Sequence, residues 1–225
     1  MSVYAISDLH LSLNTDKPMD IFGEKWINHD IKIKEHWNET INNEDYVLMA
    51  GDISWALKFN EAHEDLEFIH NLKGRKIILK GNHDYWWASI SKLNSLYDDM
   101  FFIQNNYYKY NDIGICGTRG WMNLNGKEHD EKIYNRELIR LKISLDAAKE
   151  SGLNNYIVMM HYPPVSKINV SREFIDLLHE YGVKKVIYGH IHESSKEICV
   201  NGYFEDIEFI CTTADIINFK PIRII

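Results

Sequence analysis

"YGHIH", residues 188–192, sets two histidines one residue apart behind a glycine, at the end of the short apolar run Val183 to Tyr188. A lone His-x-His of this kind reads as a surface turn or as a satisfied core histidine. Its meaning depends on which other side chains the fold brings to it. Working outward, strand-like apolar runs recur at Val3 to Ile6, Tyr46 to Ala50, Lys76 to Leu79, Ile113 to Cys116, Tyr156 to Met160 and Val186 to Tyr188. Stretches with helical period lie between several of them. Ala62, Leu66, Ile69 and Leu72 share a helix face within 61–72. Leu138, Leu141, Leu145 and Ala148 do so within 138–148, and Phe174, Leu177, Leu178 and Tyr181 within 172–181. This alternation predicts an α/β domain. After Gly189 the helical signal fades, and short strands are expected at Glu197 to Val200, Tyr203 to Cys211 and Pro221 to Ile225.

The chain has 225 residues, which suits a single domain over 1–225 with a sizeable core. Its 45% hydrophobic and 26% charged content is that of a soluble globular protein. The formal net charge of -8 repels long nucleic acid, which is bound by neutralising phosphates. No basic cluster beyond Arg119 is readable along the chain. Bound metal ions could still make one pocket locally positive. Cys116, Cys199 and Cys211 form neither a C-x-x-C nor an even framework, and read as reduced thiols in a reducing compartment. No apolar run approaches the roughly 18 residues of a membrane span. The start "MSVYAISDLH" has no basic leader and reads as a strand, so a cytoplasmic protein is expected.

The run ends hold the unusual residues. The first ends in Asp8-Leu9-His10 and the second in Gly51-Asp52. The third ends in Gly81-Asn82-His83-Asp84, and the run from Tyr156 in His161-Tyr162-Pro163-Pro164. The run from Val186 ends in Gly189-His190-Ile191-His192. In open α/β sheets, ligands bind beyond the carboxyl ends of the strands. Five strand ends can therefore deliver carboxylate, amide and imidazole groups to one place, which gives the two histidines of "YGHIH" their partners. Imidazole and carboxylate oxygen are ligands of first-row divalent metals. In extended backbone, D-x-H and H-x-H put residues i and i+2 on one face. Glycines before Asp52, Asn82 and His190 permit turns that a side chain would obstruct. The inventory is too large for one metal, whereas a shared carboxylate would give each of two ions four protein ligands.

The ordered set "DLH" (8–10), "GD" (51–52), "GNHD" (81–84), "MHYPP" (160–164) and "GHIH" (189–192) resembles the calcineurin-like metallophosphoesterases, among them small bacterial phosphohydrolases of the cyclic-nucleotide phosphodiesterase group. Tyr162 stands where many diesterase relatives have a second histidine. The resemblance implies a four-layer α/β/β/α sandwich of two mixed sheets with metals at one edge. It implies Asp8, His10 and His192 on a first metal, Asn82, His161 and His190 on a second, and Asp52 bridging them. His83 would be the catalytic histidine. Asp84 fills the acidic position of the same motif and is grouped with His83 as catalytic, in a supporting role that fixes the loop.

Two divalent ions (Mn, Fe or Zn by their N/O ligands), two aspartates and a bridging hydroxide would leave about +1 at the site, enough to receive a phosphate. The implied activity is hydrolysis of phosphate esters, diesters foremost, by that hydroxide, with His83 serving the leaving oxygen. A phosphomonoesterase is the alternative, and a nuclease or a non-catalytic scaffold fits the residues less well. The expected substrate is a small phosphate ester. Nucleic acid and membrane are disfavoured, and oligomeric state leaves no readable trace. Arg119, in "GTRGW" (117–121), is a candidate substrate-binding residue because a guanidinium can hold a phosphate oxygen bidentately. Tyr85, Trp86 and Trp87 read as packing rather than as a stacking platform, and the remaining histidines as structural or solvated. Substrate choice is expected from the loops after Trp55, around 118–130 and around 165–170.

Overall fold

The apolar runs become strands of two mixed sheets in a computed structural model that describes residues 1–122 and 128–225. The part of the 118–130 loop at 123–127 lies outside the described residues. Along the chain come β1 (Val3–Ile6), α1 (His29–Thr40), β2 (Tyr46–Met49), α2 (His63–His70), β3 (Arg75–Leu79), α3 (Ile90–Leu93) and β4 (Met100–Ile103). Then follow β5 (Tyr108–Tyr110), β6 (Ile113–Thr118), α4 (Glu128–Glu150), β7 (Asn155–Met160), β8 (Val165–Ser166), β9 (Asn169–Val170) and α5 (Arg172–Glu180). The chain closes with β10 (Lys185–Tyr188), β11 (Gly202–Phe204), β12 (Ile207–Cys211) and β13 (Ile222–Arg223). One sheet runs β13-β1-β2-β3-β4 and the other β11-β12-β10-β7-β6-β5, while β8 and β9 form a small hairpin.

Strand alternation explains the layering. Ala5, Leu48 and Ile77 lie in one register row across the first sheet, and all face the core shared with the second sheet. Their neighbours Ile6, Met49 and Ile78 face the other way, against Ile33 and Trp37 of α1 and Leu66 and Ile69 of α2. In the second sheet Ile115 and Ile157 face the shared core. Cys116, Val158, Val186 and Phe209 form the opposite row, under Leu141 and Leu145 of α4 and Phe174 and Leu178 of α5. Three apolar cores thus separate four layers, helices outside and sheets inside, as expected. Strands buried on both faces read as continuous apolar runs, which is why the sequence exposes them so plainly.

The elements differ from expectation at four places. Residues Glu193–Ile198 form a 3-10 turn where a strand over Glu197 to Val200 was expected. The segment does not join either sheet. The Tyr203 to Cys211 run is two strands, broken at Glu205 and Asp206, whose φ of 46° and 62° fit a tight hairpin turn. Helix α1 carries little apolar signal, since Ile33 and Trp37 are its only buried apolar residues. Helix α4 extends N-terminally beyond the predicted 138–148 through residues that are mostly solvated.

Strands β1, β2, β3 and β4 are parallel, as are β6, β7, β10 and β12. The two sheets are stitched at one edge. Ser7, just past β1, bridges Thr213, just past β12, with Ser7 N–H donating to Thr212 O at 2.8 Å and Ala214 N–H to Ser7 O at 2.9 Å. No helix among the described residues is long and apolar enough to cross a membrane. Cys116, Cys199 and Cys211 are free thiols.

Candidate metal centre

The seven candidate ligands meet at the stitched edge. Asp8, His10 and His192 offer ligand atoms within 4.8 Å of one another, and so do Asp8, Asp52 and His161. Asn82 Oδ1 lies 2.7 Å from His161 Nε2 and 3.0 Å from His190 Nδ1. Asp52 Oδ2 sits between the two groups, 3.8 Å from His10 Nε2 and 3.4 Å from His161 Nε2. The histidines of "YGHIH" part company here. His190 turns toward Asn82, whereas His192 Nε2 comes within 3.3 Å of His10 Nε2.

The backbone that presents these groups is not the extended chain that the i, i+2 argument assumes. Asp8, His10, Asp52 and His190 have φ of 56°, 47°, 53° and 71°. Non-glycine residues hold this left-handed region only when their surroundings over-determine it. Backbone bonds supply that constraint. Asp8 N–H donates to Gly51 O at 2.9 Å, and His10 N–H to Asp52 O at 3.0 Å. His190 N–H donates to the Asp8 carboxylate at 3.0 and 3.1 Å, and Ser7 Oγ donates to Asp8 Oδ2 at 2.6 Å.

Two glycines serve close approach rather than a turn. A Cβ on Gly189 would fall on the Asp8 carboxylate and 2.6 Å from Ser7 Oγ, and one on Gly81 would fall on Asp52. Gly189→Ala is therefore expected to displace Asp8 and weaken metal binding by about 10–100-fold, the scale for losing a ligand's support. Metal titration followed by circular dichroism checks it. A folded variant with unchanged affinity would show that Asp8 has room to move.

Charge states follow from burial and neighbours. Burial pushes His10 well below the ordinary histidine range. Burial, with the neighbouring His161 adding to it, takes His190 down to about 3. Both rings are thus neutral at pH 7, with lone pairs to offer. Burial would raise Asp52, but the surrounding His161, His10 and His83 rings hold its carboxyl far below the carboxylate range. Burial opposes the charged form of His161 too, yet the Asp52 carboxylate takes it up to about 9. His161 Nδ1–H donates to Ala50 O at 3.0 Å, because a carbonyl can only accept, so Nε2 is the nitrogen a metal would take, in exchange for the proton that the Asp52 carboxylate favours there. Burial pushes Asp8 up to about 6 against the attraction of His161 and His192.

A divalent cation suits this set of donors. Two buried carboxylates face imidazoles across the cluster, and two ring nitrogens converge at 3.3 Å with only one proton able to lie between them. His10 Nδ1 is buried without a hydrogen-bond partner among the described residues.

His83 stands beside the cluster with its side chain 35% exposed and Nε2 4.0 Å from Asp52 Oδ2. Its backbone N–H donates to Asp52 Oδ1 at 2.8 Å. Asp84 departs from its grouping with His83 as catalytic. It is fully buried, and its carboxylate accepts N–H bonds from Asp52, Ile53, Ser54 and Gly81 and from Trp86 Nε1, at 2.7–3.2 Å. These bonds tie the GD and GNHD loops together. Trp86 is buried and Trp87 packs on the same core, while Tyr85 is exposed.

Arg119 also departs from expectation. The cleft that holds His83 has a volume of about 610 Å3 and is walled by Met19, Phe22, Trp26 and Trp55, with His10, His192 and Asp215 at its base. Arg119 does not line it. Its guanidinium lies beside Glu137 and 5.0 Å from the Trp121 ring, on a separate cavity. Nor is Arg119 the only cation there. Lys80, Arg136 and Arg140 join it from β3's end and α4, a cluster invisible along the chain.

Sequence reasoning missed three contributors. Asp215 Oδ2 lies 3.3 Å from His192 Nδ1 and accepts Glu193 N–H at 3.0 Å, which orients the ring. It follows β12 in "CTTAD", one more polar residue at a strand end, and that position was its signal. Trp55 stacks on His10 at 4.8 Å and approaches His83 at 4.3 Å, and Trp26 flanks His192 at 5.9 Å. Tryptophans look alike in sequence whether they fill a core or wall a cleft. His29, read as structural, approaches His10 O at 3.3 Å and supports that loop.

Comparisons with known proteins agree with this fold. A Gene 66 protein of Mycobacterium phage D29 is 25% identical over 194 residues, 85% of this chain and 78% of the phage protein. The fold is similar to that of a protein of unknown function, AQ665 from Aquifex aeolicus, at a TM-score of 0.56 and 18% identity, over 99% of this chain and 95% of that one. It is also similar to phosphopantetheinyl hydrolase from Mycobacterium tuberculosis, at 0.55 and 14%, over 94% and 88%. The family model of the calcineurin-like phosphoesterases matches residues 1–194, which include all five motif blocks and stop short of Asp215. The chain belongs to the calcineurin-like phosphoesterases and is a metal-dependent hydrolase of phosphoric ester bonds.

Proposed function

We propose that the chain hydrolyses small phosphodiesters in which an apolar or aromatic group is esterified to the phosphate. One observation carries this reading: the cleft opening on His83 is walled by Met19, Phe22, Trp26 and Trp55, and its lysine, Lys25, is paired with Glu193 at 3.3 Å. The lining itself offers a dianionic monoester no unpaired Lys or Arg and includes two carboxylates; Lys17 lies outside it, 4.5 Å over the Trp55 ring. A monoanion with an organic arm has less charge to balance and more surface to bury. The same lining speaks against a nuclease, which needs cations along a strand.

Asp8, His10 and His192 would hold one divalent ion and Asn82, His161 and His190 another, with Asp52 between them. The N/O donor set admits Mn, Fe or Zn. Bound ions would polarise the phosphoryl oxygens and lower the pKa of attacking water. The chain's own groups do the rest. Asp215 fixes the His192 ring, Asp84 fixes the loop under Asp52, and Trp55 restricts His83. His83 would give a proton to the departing ester oxygen; burial keeps its pKa below the ordinary histidine value, which makes the protonated ring a stronger acid and a smaller fraction of the protein near neutral pH. Residues 1–225 would act as one domain, since β13 returns to pair with β1 and Asp215 serves His192. The odd count of three cysteines supports a reducing compartment, the cytoplasm.

The test compares kcat/KM for bis(p-nitrophenyl) phosphate and p-nitrophenyl phosphate on one metal-loaded preparation. The diester is expected to be at least as good a substrate. A monoester preference of tenfold, about 1.4 kcal/mol, would replace this reading with a phosphomonoesterase. Phe22→Ala should raise KM for the diester roughly fivefold, on the order of 1 kcal/mol of lost apolar contact. An unchanged KM would remove the cleft from substrate binding.

A further inference from the structure

Between the carboxyl ends of β3, β4 and β6 and the flank of α4 lies the second cavity, of about 250 Å3. Lys80, Arg119, Arg136 and Arg140 line it around a single carboxylate, Glu137. Glu137 is 1% exposed. It accepts Thr118 Oγ1–H at 2.8 Å, Arg140 Nη1–H at 2.9 Å and Arg136 Nε–H at 3.3 Å, while Arg119 Nη2 stands 3.7 Å away. One guanidinium and one hydroxyl would satisfy a buried carboxylate; here three guanidiniums converge on it. Among the described residues Arg119 Nε is buried without a partner, and no carboxylate lies within 4.0 Å of Lys80 Nζ. Burial lowers the Lys80 pKa against the attraction of the Asp84 carboxylate, and the Arg119 and Arg140 charges add to the lowering. In a chain of net charge -8, this is a concave site with positive charge in excess.

We propose that this cavity binds a dianionic phosphate group, free or esterified, at a site separate from the metal cluster. Glu137 orients the guanidiniums, whose spare N–H groups, with the Lys80 ammonium, receive the anion. The repulsion among the cations, uncompensated by Glu137 alone, is what a dianion relieves.

Sulfate, a dianion of the same shape, is the probe, titrated calorimetrically into metal-loaded protein at low ionic strength. Lys80→Gln with Arg140→Gln should weaken sulfate binding about tenfold or more through loss of charged hydrogen bonds. Arg136→Gln, at a half-exposed position where folding is not at stake, should weaken it about threefold. Diester hydrolysis in sulfate-free buffer should stay within about twofold in Arg136→Gln, because Arg136 does not line the His83 cleft. Unchanged affinity in these variants, or sulfate that binds only by competing with the diester, overturns the proposal. Displacement of the sulfate by inorganic phosphate alone identifies free phosphate as the ligand. Displacement by glycerol 3-phosphate as well identifies phosphate esters, and displacement by neither overturns the site.

Discussion

Asp52→Asn is expected to empty the metal cluster and to lower kcat/KM by at least 10²–10³, roughly the scale of losing one preorganised charge-stabilising group. The substitution is nearly isosteric, and Oδ1 can still accept the His83 backbone N–H, now made at 2.8 Å, so the loop should keep its course. What changes is Oδ2. An amide nitrogen there would present N–H groups toward His161, His10 and His83, whose nearest nitrogens stand at 3.4, 3.8 and 4.0 Å. A donor replaces an acceptor at the point common to both halves of the cluster, and the buried negative charge disappears with it. If the cluster holds the two ions proposed, elemental analysis should fall to one per chain or fewer. Full occupancy with full activity would remove Asp52 from the bridge.

His83→Ala should separate binding from catalysis. The backbone N–H bond to Asp52 survives the change, so metal content should match the unaltered protein. For esters with poor leaving groups kcat should fall by about 10²–10⁴, the range of general acid assistance. The deficit should shrink for p-nitrophenolate, which departs without a proton. A deficit of equal size for both leaving groups would place His83 on the phosphoryl group instead. Loss of metal in the variant would make the ring a structural support of Asp52.

Five polar run ends, each behind an apolar run, were legible in the chain because a strand buried on both faces has an unbroken apolar signature and its parallel neighbours end on the same side. That alone implied an α/β domain with one shared edge for Asp8, His10, Asp52, Asn82, His83, His161, His190 and His192, while the division into two mixed sheets was implied by the family resemblance of the five motif blocks. Local pattern could not see α1, whose two buried apolar residues do not make a stripe, nor the break at Glu205 and Asp206. The division of His190 from His192, which the family resemblance implied, has its physical cause in tertiary structure, in the left-handed turn at His190 that the Asp8 carboxylate holds in place. Asp215, Trp26 and Trp55 joined the site, Arg119 left it, and Lys80, Arg136 and Arg140 gathered around Glu137 for the same reason. Periodicity reports how a residue sits on its own element. Distances between residues as far apart as Asp8 and His190 are set only when the sheets dock and buried polar groups must find partners that the local chain does not contain.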